Sequence, residues 1–194
     1  MQPNVSERDD RVRKLNELKQ LNINPFPAHT DRNCTIKEVI DNFKGYEKKQ
    51  NEIIIAGRLR TMRTHGNLCF ANLDDGTGVI QIAISKQEVG ETYKNFIKLI
   101  DMADFIEIKG VCFVTHKGEN SILTKNWKLL TKTLRPLPDK WHGLVNKEEI
   151  LRKRYLDILC NDEVKDMIQK KSKFWNATRN FLIARDFLEV ETPF

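Results

Sequence analysis

Between residues 6 and 22 the apolar side chains Val12, Leu15, Leu18 and Leu21 recur at every third position among charges, a spacing that predicts a helix with one apolar face. Ser6 and Asp9 stand as a capping pair at its start, and Asn24-Pro25-Phe26-Pro27 ends it. A second helix is predicted from Thr35, whose hydroxyl caps while Glu38 reciprocates three residues on. Its apolar stripe is Ile36, Val39, Ile40 and Phe43, with Gly45 as its stop.

From residue 52 the period shortens to two. EIIIAGRLRTMRT (52–64), LCFANL (68–73) and VIQIAIS (79–85) are β-branched alternating runs separated by His65-Gly66-Asn67 and by Asp74-Asp75-Gly76-Thr77-Gly78, turn chemistry that predicts three strands joined by hairpins. A helical stretch follows, with Val89, Tyr93, Phe96, Ile97 and Ile100 on one face. FIEIKGVCFVT (105–115) and 121–130 then complete a last hairpin about Lys117-Gly118. Three strands, a helix and two strands match the connectivity of the five-stranded OB-fold barrel, a fold that binds oligonucleotides across one face. The fold class expected is therefore α+β.

LRPLPDKWHGL (134–144) reads as an extended connector, because Pro136 and Pro138 disfavour helix at and before themselves. Beyond it Asn146 and Glu149 resemble a capping pair that opens a helix to about Leu159. Asn161 caps a longer one marked by Val164, Ile168, Trp175, Phe181 and Leu182. A turn at Arg185-Asp186 and the start of a strand close the chain. The expected organisation is a helical extension over 1–50, the barrel over 51–133, a linker over 134–146 and a helical segment over 147–194.

Composition narrows the class. At 40% hydrophobic and 31% charged residues over 194 positions, there is apolar material for a packed core in one complete domain and part of another. No run approaches the roughly 18 apolar residues of a membrane span and no secretory leader opens the chain, so no membrane partner and a cytoplasmic setting are expected. The cysteines at 34, 69, 112 and 160 form no C-x-x-C pair, which predicts reduced thiols, mostly buried, rather than zinc ligands or disulfides. The net charge of +6 favours a polyanionic partner, and equally suits a solvated lysine-rich surface.

Strand parity supplies the candidate chemistry. In 79–85 the isoleucines 80, 82 and 84 share one face and Gln81 the other; in 68–73 Phe70 lies opposite Cys69, Ala71 and Leu73. An outward ring beside an amide, with Arg63 and Arg58 nearby, is what single-stranded RNA recognition requires, since a ring stacks on any base while an amide reads its edge. The same parity also fits a phenylalanine packed under a loop and a glutamine facing water. No P-loop, H-E-x-x-H or G-x-S-x-G is present, and His29, His65, His116 and His142 are scattered; His65 and His116 read as solvated hairpin residues.

AGRLRTMRTHGNLCFANLDDGTGVIQIAI, LLTKTLRPLPDKWHGL, RKRYLDILCNDE and FLIARDFLEVETPF together resemble class II lysine–tRNA ligases over nearly the whole chain. PLPDKWHGL followed by RYLDI is the most specific part, because the sister aspartate and asparagine ligases share the barrel and RYLD-like sequence but not that linker. The resemblance implies that Phe70 stacks on the uridine at the middle of the anticodon, that Gln81 hydrogen-bonds its edge, that Arg63 supports the loop and that Glu119, in the KGEN turn, helps hold the bases. An ordinary polar hairpin residue fits Glu119 as well.

FLEVETPF resembles the end of motif 1, which implies that residues 147–194 are the first helices of a class II aminoacyl-tRNA synthetase catalytic domain. It also implies a homodimer interface involving Phe187, Val190 and Pro193. Motifs 2 and 3, which would hold ATP, Mg²⁺ and lysine, have no counterpart here. The chain is thus expected to be the amino-terminal portion of the ligase, ending at motif 1, to bind the anticodon loop of lysine tRNA, and to hold no cofactor and catalyse nothing by itself. A stand-alone OB-fold protein for single-stranded nucleic acid, and an aspartate or asparagine ligase, remain alternatives.

Overall fold

The computed structural model describes residues 6–138, 146–191 and 193. It divides into two compact units, Met1–Pro136 and Leu137–Phe194. The first is a closed five-stranded barrel, in the order β1-β2-β3-β5-β4, with helices before it and between its third and fourth strands.

Helix α1 (Glu7–Gln20) begins where expected, with the Ser6 hydroxyl accepting from the Asp9 N–H. Its buried face differs from the apolar stripe. Arg11 and Leu18 are buried, whereas Leu21 is exposed. Arg11 earns its place through Nη1, which donates to the carbonyls of Met102 (3.1 Å) and Thr133 (3.3 Å), partners that lie far away in sequence.

The capping box at Thr35 and Glu38 opens α2 (Ile36–Asp41). Gly45 does not stop the helical region. α3 (Phe43–Lys49) runs through it and ends at Gln50, which takes the left-handed conformation at φ 51°. Ile36, Val39 and Phe43 are buried but Ile40 is 43% exposed, because the chain re-forms a new helix at Asn42 and the stripe does not continue in phase.

Strands β1 (Ile53–His65), β2 (Leu68–Asp74) and β3 (Val79–Ser85) form consecutive antiparallel hairpins. The alternation is clean on β2, and on β3 the isoleucines 80, 82 and 84 face the core. β1 serves two neighbours: residues 53–58 pair with β4 (Phe105–Val114) and residues 58–65 with β2. An irregularity between Leu59 and Thr61 shifts its register, which turns Met62 toward the core and Arg63 outward. At Gly57 a Cβ would lie 2.7 Å from the Asp74 carbonyl oxygen, so the crossing of the two strands needs glycine.

β5 (Asn120–Thr131) pairs antiparallel with β4 and, over Gln81–Ser121, Ile82–Ile122 and Ala83–Leu123, parallel with β3, which closes the barrel. Between β3 and β4 the expected helix is two, α4 (Lys86–Val89) and α5 (Thr92–Leu99), parted at Gly90 with φ 62°. Val89, Tyr93, Phe96, Leu99 and Ile100 cover one end of the core.

Polar pins hold this unit to its helices. Lys132, fully buried, donates from Nζ to Asp104 Oδ2 (2.7 Å), Asp101 Oδ2 (2.5 Å) and the Leu99 carbonyl (2.7 Å). Burial pushes both carboxyls up; at Asp101 hydrogen bonds from Lys132 and Lys14 outweigh it and hold the group below the usual range. At Asp104 burial prevails. Asp75, expected only as a turn residue, accepts from the Ile36 N–H (2.9 Å), the Thr77 hydroxyl (2.6 Å) and the Thr77 N–H (2.9 Å), and so ties the β2–β3 turn to the start of α2.

In the second unit Asn146 caps as expected, but the helix divides at Lys153 into α6 (Lys147–Arg152) and α7 (Arg154–Cys160). Asn161 caps α8 (Asp162–Ile183). Asp186 adopts φ 63° in the turn after it. Residues 187–191 form no strand, since a strand needs a neighbour to satisfy its backbone groups. No helix among the described residues is long and apolar enough to cross a membrane. Residues 139–145, which hold the most distinctive part of the connector, lie outside the described residues, as do Thr192 and Phe194.

Candidate nucleic-acid interface

The barrel register sets two rows of outward residues side by side. In one, Arg63 lies opposite Phe70, Phe70 opposite Ala83, and Ala83 opposite Leu123. In the next, Thr61, Asn72, Gln81, Ser121 and Phe113 follow one another across β1, β2, β3, β5 and β4. Arg63, Phe70, Ala83 and Leu123 of the first row and Gln81 and Phe113 of the second, with Glu119, line an open groove of about 840 Å³. All four residues singled out for RNA contact therefore meet on one surface.

Phe70 is half-buried, opposite the buried Cys69 and Ala71. Its ring is not packed away under a loop: it lines the groove. Arg63 is exposed at the open edge. Arg58, expected to add charge here, is placed elsewhere. It belongs to the part of β1 that pairs with β4, its guanidinium lies 4.2 Å over the Phe105 ring, and its Nη1 donates to the Ala103 carbonyl.

Gln81 does not simply face water. Its Nε2 donates to Glu119 Oε2 at 2.7 Å, and its Oε1 accepts from the Ser121 hydroxyl at 2.7 Å. The hairpin that carries Glu119 is set by its own backbone: the Thr115 N–H donates to the Glu119 carbonyl, the Glu119 N–H donates to the Thr115 hydroxyl, and Gly118 takes φ 80°. An aromatic face, a fixed amide and a carboxylate can together receive an unstacked base, since the ring accepts its face and the polar pair its edge.

Sequence reasoning missed several residues at this surface. Ser121 is fully buried beneath Gln81, and its placement depends on the parallel β3–β5 closure, which no local pattern reveals. His65, His116 and Lys117 form the rim; their hairpin positions were legible, their common direction was not. Beneath the groove Cys69 and Cys112 are buried free thiols, and burial raises both, Cys112 to about 11. They are unreactive core residues.

In the second unit Phe187, Val190 and Pro193 are all exposed. Phe187 lines a cleft of about 250 Å³ with Trp175, Leu182, Ile183 and Leu188, and Arg179 Nε donates to both Glu189 oxygens (3.0 and 2.8 Å). The cleft is apolar. Among the described residues no three His, Cys, Asp or Glu side chains gather as they would to hold a metal ion.

Comparison with known proteins accords with this geometry. Residues 53–130 match the OB-fold nucleic acid binding domain, and residues 146–194 match tRNA synthetases class II (D, K and N). The lysine–tRNA ligase of Pelotomaculum thermopropionicum is 42% identical over 184 residues, 94% of this chain and 36% of that protein. That of Staphylococcus epidermidis is 42% identical over 190 residues, 94% and 38%. Lysine–tRNA ligase 2 of Methanosarcina acetivorans is 40% identical over 187 residues, 95% and 37%. The chain spans somewhat over a third of the length of these curated relatives, and its similarity to them runs over nearly all of its own length.

Proposed function

We propose that this chain is the tRNA-recognising portion of a lysine–tRNA ligase, and that the barrel groove receives the anticodon loop of lysine tRNA. The observation that carries the reading is the meeting of Phe70, Gln81 and Glu119 in one open groove beside Arg63. Phe70 stacks on the middle anticodon uridine, Gln81 and Glu119 engage its edge, and Arg63 neutralises backbone phosphate. The net charge of +6 supplies a salt-sensitive, sequence-independent part of the affinity.

The whole enzyme would join lysine to its tRNA through an ATP-dependent lysyl-adenylate, with Mg²⁺ on the nucleotide. No step of that chemistry is assigned to the described residues; the part proposed for this chain is recognition of the tRNA. Phe187, Val190 and Pro193 belong to the face that a second subunit covers. A cytoplasmic setting is consistent with tRNA charging.

Titrating the chain with a lysine tRNA anticodon stem-loop tests the reading. Phe70→Ala removes the stacking platform and weakens binding by about 1–3 kcal/mol. Gln81→Ala chiefly relaxes discrimination at the middle base, because the loss falls on edge contacts. Unchanged affinity and unchanged base preference in both variants would remove this face from consideration.

A further inference from the structure

We propose that Ser121 is a positioning residue for base choice, holding Gln81 in place while Glu119 fixes the sense of its amide, so that the groove accepts uridine and disfavours cytidine. This deepens the anticodon reading and rests on it. Ser121 is fully buried, and parallel pairing of β3 with β5 sets it opposite Gln81. Its hydroxyl has one proton. The separations of 2.7 Å to Gln81 Oε1 and 3.2 Å to the Glu119 carbonyl give that proton mainly to Gln81.

The polarity comes from the other end. A carboxylate only accepts, so the amide atom 2.7 Å from Glu119 Oε2 is the nitrogen, and the oxygen is left facing Ser121. A hydroxyl alone would tolerate either sense, because it accepts as well as donates; the carboxylate does not. Once both bonds are made, Gln81 retains one N–H and one oxygen lone pair for a ligand. Uracil presents a ring N–H beside a carbonyl oxygen, which this fixed pair satisfies. Cytosine presents an unprotonated ring nitrogen beside an amino group, which demands the reverse order and would set the amide oxygen against the carboxylate.

The test is the ratio of affinities of the 194-residue chain for stem-loops that carry uridine or cytidine at the middle anticodon position. Ser121→Ala frees the Gln81 side chain and lowers the uridine-over-cytidine ratio about five- to tenfold, the equivalent of one hydrogen bond. In a Gln81→Ala background the same change lowers it no further, which a merely structural serine would not produce. Glu119→Gln, made in an exposed turn where folding is not at stake, lets the amide take either sense and lowers the ratio to a similar extent. A ratio left unchanged by Ser121→Ala or by Glu119→Gln, while Phe70→Ala still weakens binding, overturns this inference and leaves the anticodon reading standing. A chain with no preference for uridine, unaffected by Phe70→Ala, overturns both.

Discussion

Asp75 shows how much a single side chain can hold together. It sits in a segment whose composition announces only a turn, yet its carboxylate is 2% exposed and accepts from Ile36, Thr77 and Gly78. Burial works against its ionised form, but these bonds outweigh it and the pKa lies below the usual 3.8. A depressed carboxyl contributes stability that is fully present above the unfolded-state value and lost as pH falls through the folded one. Asp75→Ala, which leaves several buried donors unpaired, is therefore expected to cost about 2–4 kcal/mol in urea unfolding at neutral pH. The gap from the unmutated chain should narrow as pH drops below about 4; a gap independent of pH would sink the account. At this scale legibility follows locality. Phe70 and Gln81 were placed on the outer face by strand parity alone, which depends only on neighbours in sequence. Arg11 and Ser121 draw their roles, and Asp75 its bond from the Ile36 N–H, from partners distant in sequence, and nothing within a few residues of them reports it.

Among elements, the same rule separates what was readable from what was not. All five strands and both helix groups around them follow from period and turn residues, and the capping residues Ser6, Thr35, Asn146 and Asn161 mark real helix starts. The register irregularity in β1, the passage of α3 through Gly45 and the break at Lys153 were not readable from periodicity and turn residues. How the helices join the barrel was equally hidden. Lys132 at the end of β5 binds Asp101 and Asp104 before β4, and Lys14 of α1 reaches the same Asp101 at 2.6 Å, so one cluster ties three elements. Lys132→Met keeps the bulk of the stem but strands the fully buried Asp104 without its cation, an expected loss of about 3–5 kcal/mol by denaturant titration. Adding Asp104→Asn removes the stranded charge and should recover part of that loss. Strict additivity of the two changes would mean that Lys132 acts through packing alone.

On the scale of the whole molecule, the two units solve the hydrophobic problem unequally. The barrel unit closes its core on itself: Ile55, Ile82, Ile84, Phe96, Ile106 and Ile122 are fully buried. Among its described residues the second unit has no such interior. Its 22-residue α8 exposes Phe174 at 64%, Trp175 at 55%, Phe181 at 55% and Ile183 at 52%, with Leu188 and Val190 beyond it at 85% and 66%. An apolar surface of that kind is rare on a free monomer and marks a face to be covered. α6 and α7, of six and seven residues, are too short to wrap a helix of that length. If a second copy covers this face, sedimentation across about 1–100 µM, where interfaces of about 5–8 kcal/mol assemble, should show species heavier than 22.7 kDa. Phe174→Glu combined with Phe181→Glu should return the chain to that mass. Both changes lie in the unit that does not carry the groove, so affinity for the stem-loop per chain should stay the same, which separates loss of pairing from loss of folding. A single 22.7 kDa species of the unmutated chain over the whole range would show that α8 is not a self-association face.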